Sequence, residues 1–256
     1  KPNRTTLGMP LSLHLYNFAN PDFEMTFDEW IANHPKKYKD LESQFSKKKV
    51  PILGITGTGG AGKSSLVDEL VRRFLNDFDD KNIAILSVDP TKRKTGGALL
   101  GDRIRMREWY LHPAVYIRSL ATRGYLGGLI KSIDQMVLLL QSAGFDYVIL
   151  ETVGVGQSEV QVAKIAYPTV LVLVPEAGDE IQMMKSGLFE VANIYVVNKS
   201  DRPEAEKFAN HLKQSLADRA VDNKKTSFVQ TTANTKEGVL ELLNVIKQYG
   251  QSFNHE

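Results

Sequence analysis

From Val50 onward, short apolar runs alternate with stretches of helical periodicity. The runs are 50–56 (VPILGIT), 83–88 (IAILSV), 114–118 (AVYIR), 146–150 (DYVIL), 169–174 (TVLVLV), 193–197 (NIYVV) and 227–231 (SFVQT). They are short, rich in Val and Ile, and apolar at successive positions, which is the pattern of strands buried on both faces. Between them, Leu66, Leu70, Val71 and Phe74 share one face of a helix over 64–76. A second helical pattern covers 129–142, and Val239, Leu242, Leu243 and Ile246 mark a last helix over 236–249. This alternation predicts an α/β fold, a mostly parallel sheet with helices on both faces. Ligands of such sheets sit beyond the carboxyl ends of the strands.

Residues 1–49 read differently and divide the chain into an N-terminal helical arm or linker (1–49) and a domain over 50–256. The arm is rich in aromatics (Tyr16, Phe18, Phe23, Phe27, Trp30, Tyr38, Phe45) and ends in Lys47, Lys48 and Lys49. Thr26 and Glu29 form a capping-box pattern that predicts a helix from Phe27. Pro35 suits a first helical position, and Tyr38, Leu41 and Phe45 repeat at helical spacing. Two short amphipathic helices without strands make no core, so the arm is expected to pack on a neighbouring surface.

Composition narrows the classes. The formal charge is +2 over 256 residues, which gives no nucleic-acid footprint. The absence of cysteine excludes disulfides and thiolate metal sites and fits a reducing compartment. No apolar stretch approaches the roughly 18 residues of a membrane span. The first residues, KPNRTTLGMP, carry neither a starting methionine nor a signal-peptide core. The expectation is a soluble, cytoplasmic protein, excised from a longer chain or processed.

The chemistry begins at Gly57 to Ser64 (GTGGAGKS), which matches the P-loop pattern. Gly59, Gly60, Ala61 and Gly62 turn backbone N–H groups around an anion, and the following helix, from Lys63, Ser64 and Ser65, aims its positive end there. In this reading Lys63 bridges β- and γ-phosphates and the Ser64 hydroxyl holds Mg²⁺. The bland alternative is a glycine-rich turn without a ligand, which a strand before and a helix after disfavour.

A second stretch, VVNKSD at 196–201, is similar to the guanine-reading sequence of GTPases and brings in Asn198, Lys199 and Asp201. The Asp201 carboxylate can accept hydrogen bonds from guanine N1 and N2. Adenine has no donor there, and an unpaired carboxylate makes the discrimination large. The alternative is a polar turn with Asp201 capping the next helix. Thr231, Thr232 and Ala233 follow the next strand, where GTPases place a backbone N–H on the guanine oxygen. The expected ligands are GTP and GDP.

Three acids fall at further strand ends. Asp89 follows the second strand, Glu151 follows DYVIL three residues before Gly154, and Asp102 starts a helix after Gly96 and Gly97. Near a phosphate-bound Mg²⁺, such carboxylates act mostly through water, because Mg²⁺ keeps part of its hydration shell. Asp89 and Asp102 could equally be helix caps. Lys63, Asp102 and Glu151 are the candidate catalytic residues; Ser64, Asp89, Asp102 and Glu151 are the candidate metal shell. Gln157 does not stand where Ras-like proteins place their water-positioning glutamine, so slow intrinsic hydrolysis is expected. Arg93, Arg103, Arg105, Arg118 and Arg123 offer charge, but none is assigned as an arginine finger. Finally, PEAGDEIQMMKSG at 175–187 carries Asp179, Glu180, Gln182 and Lys185 beside Met183 and Met184. It reads either as a surface that re-packs on a partner or as an ordinary solvated helix face.

Taken together, GTGGAGKSS, VDPTKRKTGGALLGDRIRM, RSLATRG, ILETVGVGQSE, AGDEIQMMKSG and VVNKSD resemble the G-protein chaperones of adenosylcobalamin-dependent acyl-CoA mutases, of the methylmalonyl-CoA and isobutyryl-CoA mutase type. The resemblance spans about residues 50–245. With the arm segment LSLHLYNFANPDFEMTFDEW, it is most like the version in which the GTPase is fused inside an isobutyryl-CoA-type mutase. It implies a SIMIBI-class P-loop GTPase that couples GTP hydrolysis to loading intact cofactor into the mutase and removing damaged cofactor. It also implies that Asp89, Asp102 and Glu151 are the Mg²⁺ and switch acids. Gly154, Gln157 and Asp179, Glu180, Gln182 and Lys185 then belong to switches that relay nucleotide state to the mutase. No Asp-x-His-x-x-Gly pattern is present, so cobalamin is expected only through the partner mutase, fused or separate. Stand-alone members carry a C-terminal dimerisation arm and this chain stops at Glu256, which leaves a homodimer open. Glu176 also replaces a glycine of the family's switch.

Three other classes are weighed. A P-loop kinase for a small molecule or protein needs an acceptor-binding insertion, and no segment reads as one. A nickel-insertion GTPase needs His and Cys ligands, but His14, His34, His112, His211 and His255 are scattered. A non-hydrolysing binding module fits poorly with an intact phosphate loop and its acids.

Overall fold

A computed structural model describes residues 50–78, 80–89, 106–109, 112–121, 133, 136–137, 140, 145–152, 160, 164–175, 187–219 and 226–252. The expected arm over 1–49 lies outside them. All seven expected strands form: β1 (Ile52–Gly57), β2 (Ile83–Asp89), β3 (Val115–Ala121), β4 (Tyr147–Thr152), β5 (Thr169–Leu173), β6 (Ile194–Val197) and β7 (Ser227–Gln230). They pair in the order β3-β2-β4-β1-β5-β6-β7, and every ladder between them is parallel. Strand ends therefore all point one way, which gathers the loops that follow them at one edge.

The helices are α1 (Lys63–Asp77), α2 (Leu188–Val191), α3 (Ala205–Arg219) and α4 (Val239–Ser252). Alternate strand residues feed opposite faces, as the two-residue period of a strand requires. On one face, Leu53, Ile55, Ile83, Ile85, Val170 and Val172 pack with Leu66, Leu70 and Val71 of α1 and with Val239, Leu242 and Leu243 of α4. On the other, Ala84, Leu86, Val148 and Leu150 meet Ile133, Val137 and Leu140. Leu171, Leu173 and Tyr195 meet Leu188, Phe189, Ala209 and Leu212. Each fully buried Leu or Ile here contributes about 1.5–3 kcal/mol by leaving water. Ile133, Val137 and Leu140 are helical and buried within the helix expected over 129–142; the remainder of that stretch is largely outside the described residues.

Strand bounds shift by one to three residues from expectation, and two of the shifts move candidate site residues. Glu151 is not beyond its strand but inside β4, because the ladder continues through Ile55–Glu151 and Ser87–Glu151. Asp89 likewise ends β2, paired with Ala121. A polar residue can close a strand when neighbours on the sheet still offer backbone partners, and hydrophobicity alone does not register that.

Candidate functional site

The phosphate loop is shaped by glycines in backbone conformations other residues avoid. Gly57 has φ +143° and Gly62 φ +87°. A Cβ on Gly57 would collide with the Val172 carbonyl oxygen of β5, and one on Gly62 with the Asn198 side-chain amide. Gly62 is the left-handed N-cap of α1, and no side chain caps it. The positive end of α1 therefore faces the loop without a side-chain cap, a position that suits an anion. Gly59, Gly60 and Ser65 are exposed, whereas Ala61 is fully buried.

Lys63, though the first residue of a helix, is only 6% exposed. Its ammonium donates to the Gly57 carbonyl at 2.6 Å and the Thr58 carbonyl at 2.7 Å. The cation is held inside the loop it was expected to serve. Thr58 Oγ1 is buried with no hydrogen-bond partner in the structure, a further polar atom in this loop left to a ligand or a rearrangement.

Ser64 and Glu151, 87 positions apart, meet directly: Ser64 Oγ donates to Glu151 Oε1 at 2.7 Å. Glu151 is 2% exposed. Beside it, Thr152 Oγ1 donates to Thr56 Oγ1 at 3.1 Å and ties β4 to β1 just before the loop. A hydroxyl and a carboxylate side by side at the start of α1 are hard oxygen donors, the set Mg²⁺ takes. Among the described residues no cluster of three or more metal-ligating side chains is found. The side chain of Asp89, and all of Asp102, Gly154, Gln157, Asp179, Glu180, Gln182 and Lys185, lie outside the described residues.

Asn198 joins the base-reading sequence to the phosphate loop. Its Nδ2 donates to the Ala61 carbonyl at 2.8 Å, and its Oδ1 accepts from Thr231 Oγ1 and from the Ala233 backbone N–H, both at 3.1 Å. Three loops, after β1, β6 and β7, are thus pinned by one buried side chain. Lys199 follows at φ 58°, a left-handed conformation uncommon for a non-glycine residue. The Ser200 N–H donates to the Thr231 carbonyl at 3.1 Å, and Asp201 is exposed in the turn they form. Thr232 is buried, and its N–H donates to the Glu237 carbonyl at 3.1 Å. Ala233 thus holds the stretch expected beside the guanine oxygen against Asn198.

Sequence reasoning missed an ionic network on the outer side of α1. Arg72 grips Glu108 with two hydrogen bonds of 2.9 and 2.8 Å and lies over the Trp109 ring at 5.3 Å. Trp109 Nε1 in turn donates to Asp68 at 2.6 Å. The bonds to Glu108 hold the Arg72 guanidinium above its ordinary pKa and the Glu108 carboxyl below its own. The buried Glu69 pairs with Arg72, Arg73 and, at 3.4 Å, with Lys236 of the loop after β7. The spacings of Asp68 and Arg72, and of Glu69 and Arg73, are visible helical pairs. Their distant partners Glu108 and Lys236 carry no sequence signal.

Over 160 residues the chain is 52% identical to the fused isobutyryl-CoA mutase of Geobacillus kaustophilus, covering 62% of this chain and 15% of that protein. It is 44% identical over 173 residues to the fused isobutyryl-CoA mutase of Cupriavidus metallidurans, covering 67% of this chain and 16% of that one. The chain thus spans a small part of these relatives. Among solved structures, the LAO/AO transport system kinase superposes with a TM-score of 0.70 at 23% identity, covering all of this chain and 78% of that one. HypB from Helicobacter pylori, in complex with nickel, superposes at 0.56 and 16% identity over 86% of this chain and 96% of its own. At those identities the likeness is one of fold alone. The family model described as methylmalonyl-CoA mutase-associated GTPase MeaB matches residues 28–256, nearly the whole chain. On that match the chain belongs to the family of methylmalonyl-CoA mutase-associated GTPases.

Proposed function

We propose that the chain is a Mg²⁺-dependent GTP hydrolase that acts as a chaperone, gating adenosylcobalamin loading and repair of an acyl-CoA mutase in the cytoplasm. In this reading residues 50–256 are the GTPase domain, 1–49 the arm, and the mutase is fused to it or separate. The observation that carries the reading is the Asn198 bridge, which fastens the turn bearing Asp201 to the loop bearing Lys63. A phosphate cradle and a purine-reading carboxylate then belong to one cleft. Family membership and the two fused mutase relatives support the choice of partner.

The loop amides of 59–62 and the start of α1 bind the phosphates, and Lys63 balances their charge from within the loop. Ser64 and Glu151 would hold Mg²⁺, with Asp89 and Asp102 completing its shell. A Mg²⁺ ion held there would supply positive charge against the transferring phosphoryl group. Asp201 accepts from the guanine edge, while Asn198, placed in the same nucleotide site, holds the three loops together. With no side chain assigned as a general base, positioning and charge stabilisation carry the reaction. Gly154, Gln157 and the 179–185 segment relay nucleotide state to the mutase, which supplies the cobalamin site.

The test is competition binding with GTP, GDP and ATP, followed by phosphate release with and without an acyl-CoA mutase. Displacement by GTP and GDP but not ATP, and faster release with mutase, is expected. ATP preference, or phosphate appearing on an acceptor, would assign a kinase instead.

A further inference from the structure

At the edge of the sheet opposite the phosphate loop, the core is open between the last turns of α1 and α4. The opening is an apolar groove of about 200 Å³, with Leu53, Phe74, Phe78, Tyr147 and Ile246 along it. Its floor is aromatic: Phe74 meets Tyr147 edge-on at 4.4 Å and Phe78 at 4.9 Å. Leu53 and Phe74 belong to the main core, so whatever covers the groove completes that core.

The chain enters the sheet at this spot. Val50 is buried, Pro51 lines the groove, and the Pro51 carbonyl accepts from the Val148 N–H at 3.1 Å. Val50 packs with the cluster on the other face of the sheet, and Pro51, one position on, is the first described residue to line the groove. Phe45 is five positions before Val50, a reach of at most about 18 Å. With Leu41 and Tyr38 it forms an apolar stripe at helical spacing, followed by Lys47, Lys48 and Lys49. Two acids lie close by, each already paired: Asp77 with Lys247 at 2.6 Å and Asp146 with Lys81 at 3.4 Å, so the match to the groove is apolar. A tethered stripe acts at an effective concentration on the order of millimolar, so a second copy or a free partner would have to displace it.

We propose that the Tyr38, Leu41 and Phe45 stripe of the same chain seats in this groove. The arm is then the missing wall of the nucleotide domain's core and not a free linker. The inference rests on the groove and the chain's entry point, and is independent of what the nucleotide site hydrolyses.

The chain has no cysteine, so engineered pairs report cleanly. In the full chain, Phe45→Cys combined with Ile246→Cys is expected to form an intramolecular disulfide under mild oxidation, at a yield independent of protein concentration. Phe45→Cys with Lys207→Cys, on the exposed side of α3, is expected to form none. Disulfide-linked dimers alone would assign the groove to a second copy and overturn the proposal; so would no cross-link, or equal cross-linking in both pairs. Hydrogen exchange covers the case in which the double variant misfolds. Leu41→Asp should speed exchange of the amides over 243–250 by about tenfold or more, and unchanged exchange would also overturn it.

Discussion

Asn198 donates its side-chain amide to the Ala61 carbonyl at 2.8 Å, which locks the turn carrying Asp201 to the loop carrying Lys63. Asn198→Ala leaves the Ala61 carbonyl, the Thr231 hydroxyl and the Ala233 amide without their partner. At about 1 kcal/mol for each lost bond, the folded state should lose roughly 3 kcal/mol. GTP and GDP binding should weaken together, because the residue orients both loops. Thermal melts and nucleotide titrations measure the two effects, and a change in GTP affinity alone would argue that the residue serves the γ-phosphate.

Asp201→Asn tests the base assignment itself. Hydrogen bonds to a charged group are each worth about 1.5–3 kcal/mol, so GTP affinity should fall about 10- to 100-fold. Xanthosine triphosphate, whose ring accepts where guanine donates, should bind better than in the parent. Since Asp201 is exposed, stability should not change, and calorimetric titration with both nucleotides decides it.

Glu151→Gln keeps an oxygen able to accept from Ser64 while removing the charge. The fold should survive, since the 2.7 Å contact can persist. Mg²⁺ affinity or turnover should fall about 10- to 100-fold, as it does when groups supporting a metal are altered. Titrating Mg²⁺ during phosphate release checks this; an unchanged Mg²⁺ requirement would remove Glu151 from the metal shell.

Gly57→Ala and Gly59→Ala should separate folding from binding. The first forces a Cβ against the Val172 carbonyl at φ +143° and should cost about 2–4 kcal/mol. The second meets nothing within 4 Å, so it should fold normally and report only on the phosphate cradle. Denaturant melts of the two variants give the comparison.

Glu108 makes stability depend on pH. Its carboxyl is held below the usual carboxylate range, first by the hydrogen bonds from Arg72. A depressed folded pKa means that the contribution is present above the unfolded value and disappears as pH falls through the folded one. Glu108→Gln should therefore melt slightly below the parent at pH 7 and alongside it once pH lies below the folded value. The gap should also narrow at high salt, because Glu108 is exposed.

Much of this was legible in the chain because it is local. The seven strands follow from short apolar runs, most continuous in β5 and β6, and α1 and α4 from apolar residues at helical spacing. The glycines of 57–62 announce their loop because positive φ angles and close backbone approach leave few other choices. Belonging to the mutase-associated GTPase family was likewise readable from ordered motifs.

Relations across the sheet were not readable, because they depend on strand order and register. Only parallel pairing of β4 with β1 and β2 brings Glu151 inside a strand and onto Ser64. Arg72 finds Glu108, and Glu69 finds Lys236, through packing that no spacing encodes. Asn198 shows the division most sharply. Its sequence neighbours mark it as part of a base site, yet burial among three loops made its amide a brace, since a buried polar group must take the partners that surround it.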